Sequence, residues 1–218
     1  MARGADLKID IALKRFGPDS PPLFENFGLA ITPGSIVALT GPSGVGKSTL
    51  LRLIGGIDRD FTGTITIDGR PASEALPPGF VFQDPRLLPW LTALDNIRAM
   101  REGTTREAAL SQLKTVGLEG AEALYPHQLS GGMQRRVALA RALSVNRGLL
   151  LLDEPFVSLD QSLVAEMEAL LREVLAQTGA TALIVTHDQA QAERLAQRVI
   201  TLTGRPVQAS EGAGRPAP

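Results

Sequence analysis

The sequence has 218 residues, of which 44% are hydrophobic and 21% are charged, so it can bury the core of one large domain. Its net charge is −1 with acids and bases interspersed, which predicts neither a nucleic-acid-binding face nor a basic cluster for lipid. The absence of cysteine excludes disulfides and thiolate chemistry, and no apolar run approaches the length of a membrane span. We expect a soluble globular chain in a reducing, cytoplasmic compartment.

Two segments alternate apolar and polar residues, as half-buried antiparallel strands do: LKIDIAL at 7–13 and TITID at 64–68. Continuous apolar runs, typical of a covered and mainly parallel sheet, occur at 36–40, 80–82, 148–153, 182–186 and 199–202. Helical composition and spacing occur at 49–54, 133–145, 162–177 and 188–197. The alternation of these segments predicts an α/β fold.

The middle of the chain is predicted to be helical. No strand is evident between Leu94 and Leu129, and TREAALSQLKTVGL at 105–118 has helical spacing. We expect a helical insert over about 91–145 within a single domain that spans residues 1–209. Small residues and proline over 210–218 predict a disordered tail.

The stretch GPSGVGKST lies between a predicted strand and a predicted helix, and it matches the pattern Gly, four residues, Gly-Lys-Ser/Thr. Polyphosphate needs converging N–H donors, close backbone approach, a positive charge and a hydroxyl for Mg²⁺. Lys47 supplies the charge and Ser48 the hydroxyl. The predicted phosphate loop consists of Gly41, Pro42, Ser43, Gly44, Val45, Gly46, Lys47, Ser48 and Thr49.

Four polar residues follow predicted strands at the edge where open α/β sheets bind ligands. Asp153 is the last residue of the run GLLLLD, and Glu154 follows it directly. Asp153 would reach Mg²⁺ through water, and Glu154 would act on the attacking water as base or orienter. His187 follows ALIVT and either binds a γ-phosphate or simply begins a helix. Gln83 follows FVF and either contacts Mg²⁺ or water, or is a surface amide.

A second candidate anion site occurs in LSGGMQRRVALARAL at 129–143. Ser130 can cap a helix, and Gly131 and Gly132 expose backbone N–H groups at its start. One chain therefore carries two predicted phosphate sites more than eighty residues apart.

Taken together, these stretches resemble the nucleotide-binding subunit of ATP-binding cassette (ABC) transporters over nearly the whole chain. GPSGVGKST resembles the Walker A motif, Gln83 the Q-loop, LSGGM the family signature, LLLLDEP the Walker B motif, Ser158, Leu159 and Asp160 the D-loop, and His187 the switch histidine. Met133 and Arg135 stand where many members have glutamine.

The resemblance implies a P-loop NTPase core with a mainly parallel sheet, an N-terminal antiparallel β subdomain and a short helical insert. It implies ATP and Mg²⁺ as ligands and a homodimer of cassettes arranged head to tail. In that dimer Ser130, Gly131, Gly132 and Asp160 would meet the ATP held by the second copy. Phe16 stands where an aromatic residue stacks on adenine, although an aromatic residue at a strand end can also be core packing.

VFQDPRLLPWLTALDNI at 81–97 is similar to importers of the nitrate, sulfonate and taurine class. That similarity implies membrane-embedded permease subunits, an external solute-binding protein acting indirectly, no nucleic acid, and a peripheral place on the cytoplasmic face of the inner membrane. The segment Arg86, Leu87, Leu88, Pro89 and Trp90 would receive a coupling helix of the permease. Leu88 and Trp90 could equally anchor the insert to the core.

Two other functions remain open at this stage. The first is a soluble cassette ATPase with a non-transport role such as cofactor assembly. The second is a P-loop small-molecule kinase, which would leave the signature LSGGM unexplained.

Overall fold

The computed structural model describes residues 4–145, 148–157 and 159–211. Its strands are β1 (Leu7–Lys14), β2 (Phe24–Ile31), β3 (Ile36–Thr40), β4 (Thr62–Ile67), β5 (Arg70–Pro71), β6 (Gly79–Val81), β7 (Leu149–Asp153), β8 (Thr181–Val185), β9 (Arg198–Thr203) and β10 (Gln208–Glu211). Its helices are α1 (Lys47–Ile54), α2 (Ala93–Arg98), α3 (Arg106–Thr115), α4 (Gly131–Val145), α5 (Gln161–Thr178) and α6 (Gln189–Leu195), with a 3-10 turn at Pro126–Gln128.

Strands of the first part of the chain form a four-stranded antiparallel sheet in the order β2-β1-β4-β5. The alternation in β1 places its odd-numbered residues Leu7, Ile9 and Ile11 in the core, as the sequence predicts. Strand β2 was not predicted from the sequence. Its buried residues do not alternate, because Asn26 adopts a left-handed conformation with φ of 49° and interrupts the period of two.

The second sheet is mainly parallel and has the order β10-β9-β3-β8-β7-β6. Strands β6, β7, β8, β3 and β9 run parallel, and only the edge strand β10 pairs antiparallel within the described residues. Every residue of β7 and β8 is buried, because helices such as α4 and α5 cover one face of the sheet, and α1 with the four-stranded sheet covers the other. The carboxyl ends of β3, β6, β7 and β8 therefore open onto one edge.

Part of the expected disordered tail is ordered. Ser210 and Glu211 belong to β10 and pair with Thr201 and Ile200 of β9, so the expectation of disorder from residue 210 is wrong for these two residues. Backbone pairing with an existing strand outweighs their weak propensity for β structure. Residues 212–218 lie outside the described residues.

Helix α4 connects the helical region to the sheet. It packs against α2 and α3 on one side and against β6 on the other. Gly79 of β6 makes this approach possible, since a Cβ atom there would clash with the Ala142 carbonyl oxygen. Across the described ranges, every helix is too short or too polar to cross a bilayer.

Candidate functional site

The phosphate loop 41–46 leaves the carboxyl end of β3 and leads directly into α1. Gly46 has φ of 120° and Gly41 has φ of 133°, values that side chains other than hydrogen rarely permit. A Cβ atom on Gly41 would also clash with the carbonyl oxygen of Leu202. Lys47 is only 5% exposed, and its ammonium group donates to the carbonyl oxygens of Gly41 at 2.8 Å and Pro42 at 3.1 Å. The loop thus surrounds a positive charge.

Ser48 and Asp153 come together although 105 residues separate them. The Ser48 hydroxyl donates to Asp153 Oδ1 at 2.8 Å, because α1 begins beside the carboxyl end of β7. Burial raises the pKa of the Asp153 carboxyl, and Glu154 adds to this effect, while the Ser48 hydrogen bond and the charges of Arg52 and Lys47 oppose it. A carboxylate beside a hydroxyl offers the oxygen ligands that a divalent metal such as Mg²⁺ prefers.

Glu154 and His187 also form a pair. The Glu154 Oε2 and His187 Nδ1 atoms lie 3.2 Å apart, and the imidazole is largely exposed. Glu154 has φ of 45°, a conformation that costs free energy in a residue other than glycine and is concentrated at functional sites. Its backbone N–H donates to the Val185 carbonyl oxygen at 3.0 Å, which fixes the residue to the end of β8.

Gln83 lies in the same cavity as the Ser48 and Asp153 side chains. The cavity measures about 420 Å³ and also receives Arg52 and Arg135. The donor set fits Mg²⁺, which in phosphate-binding sites takes one or two protein carboxylates or hydroxyls and completes its shell with phosphate oxygens and water. The amide of Gln83 can contribute a further oxygen. The three residues predicted to serve Mg²⁺ are therefore brought together.

Phe16 lies at a cavity of about 280 Å³ that it shares with the phosphate loop and Glu154. Its ring is 62% exposed, so the alternative interpretation as core packing is wrong. The ammonium group of Lys14 lies 5.4 Å from the ring centroid and forms an ion pair with Asp58 at 2.9 Å. An exposed, laterally supported aromatic ring beside a phosphate loop is suited to stacking on a nucleobase.

Ser130, Gly131 and Gly132 lie at the start of α4. The Ser130 hydroxyl accepts the Met133 N–H at 3.2 Å, as a helix cap does. Gly131 is exposed, whereas Gly132 is buried where a Cβ atom would lie 2.9 Å from Leu163. None of the three lines the cavities at the phosphate loop. The structure therefore separates the two predicted phosphate sites.

Asp160 caps the start of α5. Its carboxylate accepts the Leu163 N–H at 2.9 Å and the Ser162 hydroxyl at 2.6 Å, and these hydrogen bonds lower its pKa, the Ser162 bond most strongly. The cap gives Asp160 a structural role within its own chain, whatever else it contacts. Ser158, the first residue of the same predicted motif, lies outside the described residues.

Comparison with protein families decides the identity of this arrangement. The model of the family described as "ABC transporter" matches residues 24–157, which is more than half of the chain. The chain belongs to the ABC transporter family. The P-loop fold class and the family expected from the sequence are both confirmed.

Relatives of this ABC cassette cover most of its length. The aliphatic sulfonates import ATP-binding protein SsuB of Bacillus licheniformis is 39% identical over 206 residues, which is 92% of this chain and 81% of that protein. SsuB 1 of Xanthomonas axonopodis pv. citri is 41% identical over 208 residues, or 92% of this chain and 82% of that protein. A dimeric post-hydrolysis structure of the ATP-binding cassette MJ0796 bound to ADP and Pi has a TM-score of 0.79 at 33% identity and covers 96% of this chain and 99% of that one.

Three residues that hold the loop after β6 were not predicted to matter. Buried Asn96 bonds both backbone groups of Leu88, accepting its N–H at 2.8 Å and donating to its carbonyl oxygen at 3.1 Å. Arg141 donates to the carbonyl oxygens of Pro85 and Arg86, each at 2.7 Å. Arg135 bonds the carbonyl oxygen of Gln83. In a sequence, polar residues on helical segments are normally interpreted as solvent-exposed. The hydrogen bonds from these three side chains to the backbone of the loop are visible only in the structure.

Trp90 does not anchor the insert of this cassette. Its side chain is 69% exposed, so that alternative is wrong for Trp90. Leu87 packs against the core and Leu88 is half-buried, which leaves Pro89 and Trp90 projecting from a segment that Asn96 fixes. A large exposed aromatic residue on a fixed loop is typical of an interface.

Proposed function

We propose that this cassette is the ATP-binding and ATP-hydrolysing subunit of an importer of a small solute. The relatives named as import ATP-binding proteins support this function, and sulfonates or sulfate and thiosulfate are the solutes in their names. These names do not favour a soluble cassette with a role in cofactor assembly. The observation that carries the proposal is that the Ser48–Asp153 and Glu154–His187 pairs stand at neighbouring strand ends beside one phosphate loop.

ATP binding is assigned to the phosphate loop, with Lys47 and the backbone N–H groups of Ser43 to Thr49 receiving the phosphates. Phe16 stacks on the adenine from the exposed side of the loop. Ser48 and Gln83 would bind Mg²⁺ and Asp153 would reach it through water, and the bound metal would neutralise phosphate charge.

Hydrolysis is assigned to Glu154 and His187. Glu154 accepts a hydrogen bond from the attacking water and orients it or takes its proton, because phosphoryl transfer depends chiefly on positioning and charge stabilisation. His187 Nδ1 lies 3.2 Å from the Glu154 carboxylate, and in the tautomer that carries its proton on Nε2 the imidazole can instead donate a hydrogen bond to the γ-phosphate. Glu154 lines both the cavity of the phosphate loop and the larger one beside His187.

The second phosphate site is assigned to the ATP of another copy. In a head-to-tail dimer, Ser130, Gly131 and Gly132 cover the ATP held by the partner, and Asp160 lies at the same interface. The exposure of Ser130 and Gly131 and their separation from the phosphate loop support this arrangement. The dimeric relative structures named for MJ0796 support it further. Hydrolysis then reopens the dimer.

The permease subunits are assigned to the segment Arg86 to Trp90. A short helix of the permease docks there, so that closure of the cassettes moves the membrane subunits between two states. The chain is then held at the cytoplasmic face of the membrane through its partners, and the external solute-binding protein acts only through the permease.

Substitution Glu154→Gln tests the proposal. The variant should bind ATP as tightly as the wild type, should lose hydrolysis by at least about a hundredfold because the amide cannot act as a base, and should accumulate as a dimer with ATP. Phosphate release and size-exclusion chromatography measure these properties. The exposed Glu173→Gln on α5 is the matched control and should behave as wild type. Full turnover of Glu154→Gln without added dimer would show that Glu154 is misassigned.

A further inference from the structure

Arg135 joins two loops of the site through one guanidinium group. Its Nη1 atom donates to the carbonyl oxygen of Gln83 at 3.1 Å and to that of Pro155 at 2.9 Å. Its Nη2 atom donates to the carbonyl oxygen of Val157 at 2.6 Å. The first carbonyl belongs to the loop after β6, and the other two belong to the segment that begins with Glu154.

This guanidinium is half-buried and lies at the site. Arg135 lines the 420 Å³ cavity together with Ser48 and Asp153. Burial lowers its pKa, against the charge of Asp84, so the group is partly removed from water. The three carbonyl oxygens replace the water that a buried cation loses.

Two other arginines of α4, Arg136 and Arg141, make contacts that do not join these two loops. Arg141 donates two hydrogen bonds, and both go to the loop after β6, at Pro85 and Arg86. Arg136 donates to the Val116 carbonyl oxygen and pairs with Glu166, away from the cavity. Arg135 thus bonds both the loop of Gln83, which is assigned to Mg²⁺, and the segment of Glu154, which is assigned to the attacking water.

We propose that Arg135 is a positioning residue that sets the distance between the Gln83 loop and the Glu154 segment. The inference rests on the proposed ATPase function. Arginine suits this task because its planar group presents five N–H donors and can serve two segments at once. The glutamine that the resemblance places here in many cassettes has only two amide donors on a shorter side chain, so it cannot make all three bonds.

The test compares Arg135→Gln and Arg135→Lys with Arg136→Gln. We measure the dissociation constant of ATP in the absence of Mg²⁺, the kcat, the Mg²⁺ concentration that gives half-maximal activity, and the Tm. Arg135→Gln should keep the ATP dissociation constant, because its bonds do not touch the phosphate loop. Its kcat should fall about tenfold and its half-maximal Mg²⁺ concentration should rise, since displacements below 1 Å at reacting groups cost this much.

The control and the conservative variant separate positioning from stability. Arg136→Gln should lower the Tm and leave kcat and the Mg²⁺ requirement unchanged. Arg135→Lys keeps the positive charge but lacks the planar set of N–H donors. Its kcat should fall, and its half-maximal Mg²⁺ concentration should rise, by less than in Arg135→Gln. Where Arg135→Gln does not fold, the comparison of Arg135→Lys with the wild type carries the test.

A double-mutant cycle identifies what Arg135 acts through. If Arg135 positions Gln83, the double variant Gln83→Ala/Arg135→Gln should have the same kcat as whichever single variant has the lower kcat. The reason is that the effects of coupled residues are not additive. Multiplied losses, or equal effects of Arg135→Gln and Arg136→Gln on every readout, would overturn the inference. A wild-type protein that does not hydrolyse ATP would instead contradict the proposed function.

Discussion

At the scale of single residues, two neighbouring acids of the site each carry a feature that costs free energy. Asp153 is buried at the end of β7, and Glu154 takes a left-handed backbone conformation next to it. Neither feature favours the folded state by itself. Both features are explained if the Asp153 carboxylate is needed for Mg²⁺ and the Glu154 carboxylate for the attacking water. Functional sites commonly carry such free-energy costs.

The raised pKa of Asp153 gives the site a pH dependence. Because the folded protein binds this proton more tightly than the unfolded chain, ionisation of Asp153 destabilises the folded state at neutral pH, and the loss is recovered as the pH falls through the folded pKa. Without Mg²⁺, Asp153→Asn should therefore raise the Tm at neutral pH, by an amount that shrinks on acidification.

Thermal unfolding in Mg²⁺-free buffer over a pH series measures this difference. The exposed Asp19→Asn is the control and should not reproduce the effect. A Tm difference for Asp153→Asn that is constant with pH would show that ionisation of Asp153 carries no such cost.

At the scale of elements, the close approach of α4 to β6 holds the helical region on the sheet. Gly79→Ala would push a Cβ atom against the Ala142 carbonyl oxygen and to 2.7 Å from Leu150 Cδ2. The backbone of α4 cannot yield easily there, so the free energy of unfolding should fall by about 1–3 kcal/mol.

Urea unfolding of Gly79→Ala measures this cost, and Gly28→Ala is the matched control. The nearest atom to a Cβ on Gly28 lies 4.0 Å away, so that variant should equal the wild type or exceed it slightly. Equal stability of the two variants would mean that α4 can move away from β6 freely.

Elements also show how far the sequence could predict the fold. Strands such as β7 and β8 were predictable because continuous apolar runs satisfy a sheet that is covered on both faces. The placement of Ser48 beside Asp153 followed from the rule that parallel strands end at one edge. Strand β2 was missed because Asn26 breaks its alternation. The bonds of Arg135 were not predictable, since its carbonyl partners carry no side-chain signal.

At the scale of the whole molecule, the proposed head-to-tail dimer accounts for the presence of two candidate phosphate sites in one chain. The phosphate loop, Glu154 and Phe16 share a cavity, while exposed Ser130 and Gly131 lie elsewhere on the surface. In the proposed twofold arrangement, the signature of each chain covers the phosphate loop of the other. Under this proposal hydrolysis requires two chains, and dimerisation is part of the catalytic cycle.

Mixing two inactive variants tests this claim most directly. Lys47→Ala lacks a working phosphate loop and Ser130→Arg lacks a working signature, so each alone should be inactive in phosphate release. In a mixed head-to-tail dimer the intact phosphate loop of one chain meets the intact signature of the other. The mixture should recover up to about a quarter of the wild-type rate, because half of randomly paired dimers are mixed and each has one intact site. No recovery at any mixing ratio would contradict the head-to-tail dimer and would indicate that both phosphate sites act within a single chain.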